Sequence, residues 1–199
     1  MSIMKNLKSG IWAVSLVLLL ASCKNDKKTD ADSDAATTPD SEVKNDQEKP
    51  KLAYVNLEAR SGTKAMGKAE FKEQNGVVSL YAEIINLEPG THAIHIHEFS
   101  DCSAEDGSSA GGHWNPTFEK HGKWGDPEGY HRGDIGNFTA DENGKMVVKF
   151  ETDQWCIDCD DPTKNIVGKS IIVHTDPDDY VSQPTGNAGG RVSCGGIIK

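Results

Sequence analysis

Seven histidines stand in the chain, and six of them fall where their chemistry could be pooled. His95-Ile96-His97 sets two imidazoles two residues apart. Side chains at that spacing share one face of a β-strand, so the pair makes half of a metal site. His113, His121, His131 and Asp134 follow in a stretch rich in glycine and proline. Three imidazoles and a carboxylate are a tetrahedral nitrogen and oxygen set of the kind zinc takes. His174 ends the apolar run Ile171-Ile172-Val173. A lone imidazole beside apolar residues is ordinarily structural, and loop histidines are ordinarily solvated. The gathering of nearly every histidine among turn residues argues against both readings.

Strands must position these groups. Ala53, Val55, Leu57 and Ala59 alternate with polar residues, as do Ala65, Gly67, Ala69 and Phe71, and then Val78, Leu80, Ala82 and Ile84. Asn75-Gly76 reads as the hairpin turn between two of these runs. Met146, Val148 and Phe150 continue the pattern after Asp141-Glu142-Asn143-Gly144, and final strands are expected near 171–174 and 191–197. No stretch carries a helical period. Short alternating strands joined by hairpins predict an all-β sandwich or barrel. Two long irregular stretches, about 100–133 and 175–190, interrupt it. Loops that long are functional or disordered, and their His, Trp, Cys, Gly and Asp content is not that of disorder.

The first 50 residues read differently. Lys5 and Lys8 precede the apolar run from Ile11 to Leu20, which is short for a membrane span and suited to an export signal. It ends in Leu20-Ala21-Ser22-Cys23, similar to the lipobox of bacterial lipoproteins, where cleavage leaves a diacylated Cys23 as the new first residue. The alternative is an ordinary export signal with an incidental cysteine. Residues 1–22 are thus expected to be a lipoprotein leader. Residues 23–50, polar and acidic with Val43 as the lone β-branched hydrophobe, are expected to be a flexible tether. Each buried methylene of an acyl anchor adds about 0.8 kcal/mol of membrane affinity. The folded domain is expected over 51–199, in the cell envelope of a bacterium, lipid-anchored to a membrane and facing periplasm or exterior. The net charge of −10 argues against a sequence-independent grip on nucleic acid. An anionic substrate would need local positive charge to steer it.

Several motifs carry a resemblance. Gly90-Thr91-His92-Ala93-Ile94-His95-Ile96-His97-Glu98 resembles the first signature of copper/zinc superoxide dismutases. Ala110-Gly111-Gly112-His113-Trp114-Asn115-Pro116 resembles the loop with the family's bridging histidine. Gly133-Asp134-Ile135-Gly136-Asn137 and the run from Thr185 to Gly195 resemble the zinc aspartate region and the second signature. The likeness spans about 51–199 and implies a Greek-key, flattened eight-stranded barrel. It implies copper on His95, His97, His113 and His174, and zinc on His113, His121, His131 and Asp134, with one ion of each per chain. His113 would bridge the two. Asp178 would link a copper histidine to a zinc histidine, and His92 would be structural.

The reaction so implied converts two superoxide ions to oxygen and hydrogen peroxide. Copper would do the redox chemistry and zinc would organise the loop. His113 would carry a proton when it leaves copper. Arg191 would orient the anion, opposite Thr185. The chain departs from many relatives in having no lysine from Asp178 to Gly190, which leaves steering to Arg191, the metals, or Lys120 and Lys123. The resemblance admits a homodimer without fixing its face.

With Cys23 lipidated, four cysteines remain, and export favours disulfides. The resemblance pairs Cys102 with Cys194. Cys156 and Cys159 lie outside the family pattern; a short structural disulfide is the first reading, an accessory metal-loading or thiol site the second. Other functions compete. A dismutase-like binding module would have lost ligands, which this sequence keeps. A zinc hydrolase needs an open zinc position. A copper-delivery protein would favour Met and Cys clusters.

Overall fold

The computed structural model describes residues 49–199. The leader and tether expected over 1–50 lie almost wholly outside the described residues. The strands are β1 (Lys51–Ala59), β2 (Met66–Gln74), β3 (Val77–Ile85), β4 (Gly90–His97), β5 (Gly136–Ala140), β6 (Met146–Thr152), β7 (Ser170–His174) and β8 (Arg191–Gly196). They form one antiparallel sheet in the order β5-β4-β7-β8-β1-β2-β3-β6, curled into a nearly closed barrel. The connections β3–β4 and β6–β7 join strands that are not neighbours, which is Greek-key connectivity. Asn75 and Gly76 both take positive φ, as a two-residue hairpin of the twisted kind requires.

The expected alternation holds. Ala53, Val55, Leu57, Phe71, Leu80, Ile84 and Val148 point inward and pack with Ile94, Ile96, Ile171 and Val173 from the other half of the barrel. β5 was not foreseen; it pairs with β4 from Gly90↔Ala140 to Ile94↔Gly136.

β4 and β7 depart from simple alternation, because both of their faces are buried. Ile94 and Ile96 enter the core, so His95 and His97 leave from the opposite, outer face. The long loops cover that face. Ile172 from the outer face of β7 packs with Ala110, Cys102 and Cys194 in a second small apolar cluster. The Cys102–Cys194 disulfide fastens the loop there. Closing a loop of 92 residues contributes about 4–5 kcal/mol in the chain-entropy model. A second disulfide joins Cys156 and Cys159.

Candidate metal centre

β4 supplies His95 and His97 already on one face. β7 supplies His174 beside them, on the outer face by the same alternation, where the pairing with β8 shifts register between Val173 and His174. The loop delivers His113 by adding backbone to β4: Trp114 N–H donates to Ile96 O (2.8 Å), and Ile96 N–H donates to Gly133 O (2.9 Å). Gly133 fits this approach because a Cβ there would lie 2.2 Å from Ile96 O. His113 thereby bridges to His97.

Two groups of potential ligands result. In the first, His95, His97, His113 and His174 bring ligand atoms within 4.8 Å of one another. In the second, His113, His121, His131 and Asp134 do the same. All seven residues are buried, and His113 is the one member of both. Each group predicted from the sequence is therefore assembled.

Hydrogen bonds fix which ring nitrogen faces inward. Asp178 accepts from His95 Nε2 at 2.9 Å and from His121 Nε2 at 2.8 Å, one oxygen for each. His97 Nδ1 donates to Gly111 O at 3.0 Å, turning its Nε2 to within 3.4 Å of His174 Nε2. The tautomers so selected leave His95 Nδ1 and His121 Nδ1 as bare lone pairs. His95 Nδ1, His113 Nε2, His121 Nδ1 and His131 Nδ1 are buried without a hydrogen-bond partner. Burying such groups unpaired costs several kcal/mol at the order of magnitude, and a metal ion answers the need. The donor sets suit the implied ions: imidazoles alone for copper, imidazoles with a carboxylate for zinc.

Charge is arranged accordingly. Burial holds His97 and His174 well below the usual histidine range, aided by neighbouring imidazoles. Burial also lowers His113 to about 4, against the pull of Asp134. Metal ligation needs such neutral rings. At His121 burial opposes charge, yet the carboxylates of Asp134 and Asp178 beside the ring outweigh it and raise the group to about 9. Burial also opposes ionisation of Asp134 and Asp178, but their histidine contacts hold both carboxyls well below the usual range. Two buried carboxylates that favour a proton on His121 also favour a cation beside it.

Arg191 opens β8 opposite His174. Its guanidinium donates to Gly107 O (2.7 Å) and Gly111 O (2.8 Å), so Gly111 O serves both Arg191 and His97. His92 belongs to neither group; its ring nitrogens lie 2.8 Å from His174 O and Glu88 O. Thr185 is half-buried in the 175–190 loop, and Lys120 and Lys123 are exposed.

Other positioning residues escaped the sequence reading. Asn137 and Asp178 exchange two hydrogen bonds, Asn137 Nδ2 to Asp178 O (2.9 Å) and Asp178 N to Asn137 Oδ1 (2.8 Å). Gln183 brackets His121 through the backbone N–H and C=O, each at 2.9 Å. Trp155 donates from Nε1 to Arg132 O at 2.8 Å, next to His131. Such contacts join residues far apart in sequence, and Asn and Gln carry no spacing signal.

Gly186 is the tightest of these supports: a Cβ there would fall 1.8 Å from Asp178 Oδ1 and 2.6 Å from His121 Nε2. Gly186→Ala should displace Asp178 and weaken metal binding about 10- to 100-fold, the usual cost of losing an outer carboxylate. Chelator competition checks this; unchanged metal affinity would contradict the role given to Asp178.

Comparison with known proteins follows the same line. The family model "Copper/zinc superoxide dismutase (SODC)" matches residues 65–197. The chain is 39% identical over 151 residues to superoxide dismutase [Cu-Zn] 1 of Aquifex aeolicus, covering 73% of this chain and 86% of that protein. It is 34% identical over 194 residues to superoxide dismutase [Cu-Zn] 2 of the same organism, covering 95% and 97%. Among solved structures, the clock protein EA4 aligns with a TM-score of 0.65 at 35% identity, covering 75% of this chain and 94% of that one. A double mutant of a SOD-like protein from Bacillus subtilis aligns with a TM-score of 0.66 at 33% identity, covering 73% and 97%. With the barrel and the paired ligand groups already assembled, these matches settle the family: the chain belongs to the copper/zinc superoxide dismutases.

Proposed function

We propose that this protein dismutes superoxide to oxygen and hydrogen peroxide at a copper ion on His95, His97, His113 and His174. Zinc is assigned to His113, His121, His131 and Asp134. The observation that carries the reading is His113, the one residue in both ligand groups, with Nδ1 facing Asp134 and Nε2 buried without a partner. When bound, copper supplies one-electron redox chemistry and zinc supplies a fixed positive charge without redox change.

The chain's own residues do the rest. Arg191 stays charged at any physiological pH and sits half-buried beside the first group. Its anchorage to Gly107 O and Gly111 O holds the guanidinium still, so a small anion is oriented without reordering it. His97 is fixed by the same Gly111 carbonyl, which ties the anion-binding charge to a ligand ring. His113 Nε2 can hold a proton between half-reactions, while Nδ1, which faces Asp134 at 2.9 Å, would stay with that carboxylate in the zinc group. Asp178 couples the two groups through His95 and His121.

The envelope role is part of the proposal. Lipidation at Cys23 and a tether over 23–50 would hold the domain at a bacterial membrane, facing periplasm or exterior, as an antioxidant defence. A homodimer is an arrangement the family admits.

Purified protein loaded with both metals is expected to hold about one copper and one zinc per chain and to remove superoxide in a pulse-radiolysis assay. His113→Ala should abolish that activity. Arg191→Ala should lower kcat/KM about tenfold and flatten its dependence on ionic strength. Zinc alone, or both metals without superoxide loss, would favour a dismutase-like binding module instead. Cell fractionation tests the anchor: Cys23→Ser should move the protein out of the membrane fraction, and an unchanged distribution would overturn lipidation there.

A further inference from the structure

The zinc-side loop is held from outside by a segment that no metal role explains. Trp155 is 1% exposed and grips the loop twice. Its Nε1 donates to Arg132 O, one residue beyond His131. Its ring packs against Trp124, which lies between His121 and His131 in the loop, at 5.6 Å between centroids. Phe71 and Phe150 complete the seat at 6.0 and 5.1 Å.

Trp155 itself lies past the end of β6 and needs its own support. That support is the next turn, Cys156–Cys159. Cys156 N–H donates to Lys164 O, and Ile166 N–H donates to Cys156 O. Ile157 N–H donates to Glu73 Oε2 at 2.7 Å. Asn165 Nδ2 donates to Cys159 O, and Asp158 sits at a φ of 54°, a left-handed conformation that non-glycine residues seldom adopt. The disulfide closes this turn over three residues. Cys156 is buried, whereas Cys159 is partly exposed.

We propose that Cys156–Cys159 is a thiol-exchange site whose redox state sets how tightly the zinc group is held, an inference that rests on the zinc assignment above. A thiolate of a dithiol reductant attacks Cys159 Sγ, the reachable sulfur. The Cys156–Cys159 bond breaks, a mixed disulfide forms at Cys159, and Cys156 leaves as a thiolate. The reductant's second thiol then attacks the mixed disulfide, closing the reductant to its own disulfide and releasing Cys159. Two electrons and two protons pass from the dithiol to the cysteine pair. The opened turn no longer holds Asp158 in its left-handed conformation, and the seat of Trp155 loosens. The grip on Arg132 O and Trp124, and with it the placement of His131 and His121, weakens. Trp155 is thus a positioning residue that acts through the loop and touches no substrate. The copper group is spared, because His95, His97 and His174 stand on β4 and β7, and the shared His113 is held to β4 by the bond from Trp114 N–H to Ile96 O.

The test uses the full chain loaded with copper and zinc. Brief dithiothreitol treatment, capping with iodoacetamide and desalting are followed by peptide mass mapping. Zinc and copper transfer to a chromogenic chelator is then timed. The expected result is capping of Cys156 and Cys159 ahead of Cys102 and Cys194. Zinc transfer should be about tenfold faster, and copper retention unchanged. Cys156→Ser with Cys159→Ser should show the faster zinc transfer without any reductant, and Trp155→Phe should move zinc in the same direction. Zinc transfer unaltered in the capped protein, or altered only when Cys102 and Cys194 are also capped, would overturn this inference and leave the zinc assignment standing. Untreated protein that holds no zinc would overturn both.

Discussion

The fold is organised around the burial of ring nitrogens that no hydrogen bond satisfies. His95 Nδ1, His113 Nε2, His121 Nδ1 and His131 Nδ1 all lie out of water without a hydrogen bond. Two carboxylates, Asp134 and Asp178, are buried among them and held ionised by the rings they touch. Such a cluster is poorly compensated by the chain alone. Metal ligation converts it into a source of stability, because binding energy becomes folding energy where a site forms only in the folded chain. The loops that bury the cluster are therefore committed to an arrangement that metals complete.

A stiff frame is needed for that commitment. The barrel core holds β4 and β7 from within through Ile94, Ile96, Ile171 and Val173, leaving His95, His97 and His174 on the outer face. Three fastenings then bring the loops down. The Cys102–Cys194 disulfide seats the stretch that carries Gly107 and Gly111, and so Arg191 and His97. Asp178 pins the 175–190 loop to both ligand groups at once. Trp155 and its aromatic neighbours hold the loop between His121 and His131 from the far side. Function depends on all three, since a displaced ring loses both its ligand geometry and its neighbour's support.

Much of this was legible in the sequence, for reasons that differ by element. Alternation over Val78 to Ile84 marked a half-buried strand, and the structure buries the apolar set. His95 and His97 were legible because a period of two is a geometric statement. His113, His121, His131 and Asp134 were legible as a composition that loops rarely carry, and their order matched a known signature. β5 was not legible: Gly136-Asn137-Phe138-Thr139-Ala140 alternates weakly, and its pairing with β4 is what makes it a strand. Asn137, Gln183, Trp124 and Trp155 were not legible as positioning residues. Their partners lie 23 to 62 positions away where hydrogen-bonded, and only the fold brings them together.

The account turns on His113 belonging to two metal sites through one ring. Loading both sites with Cu(II) and recording the electron paramagnetic resonance spectrum tests that directly. An imidazolate bridge would couple the two unpaired spins and suppress the isolated Cu(II) signal, and His113→Ala would restore it. Two independent Cu(II) signals at full intensity in the unaltered protein would contradict the shared ligand.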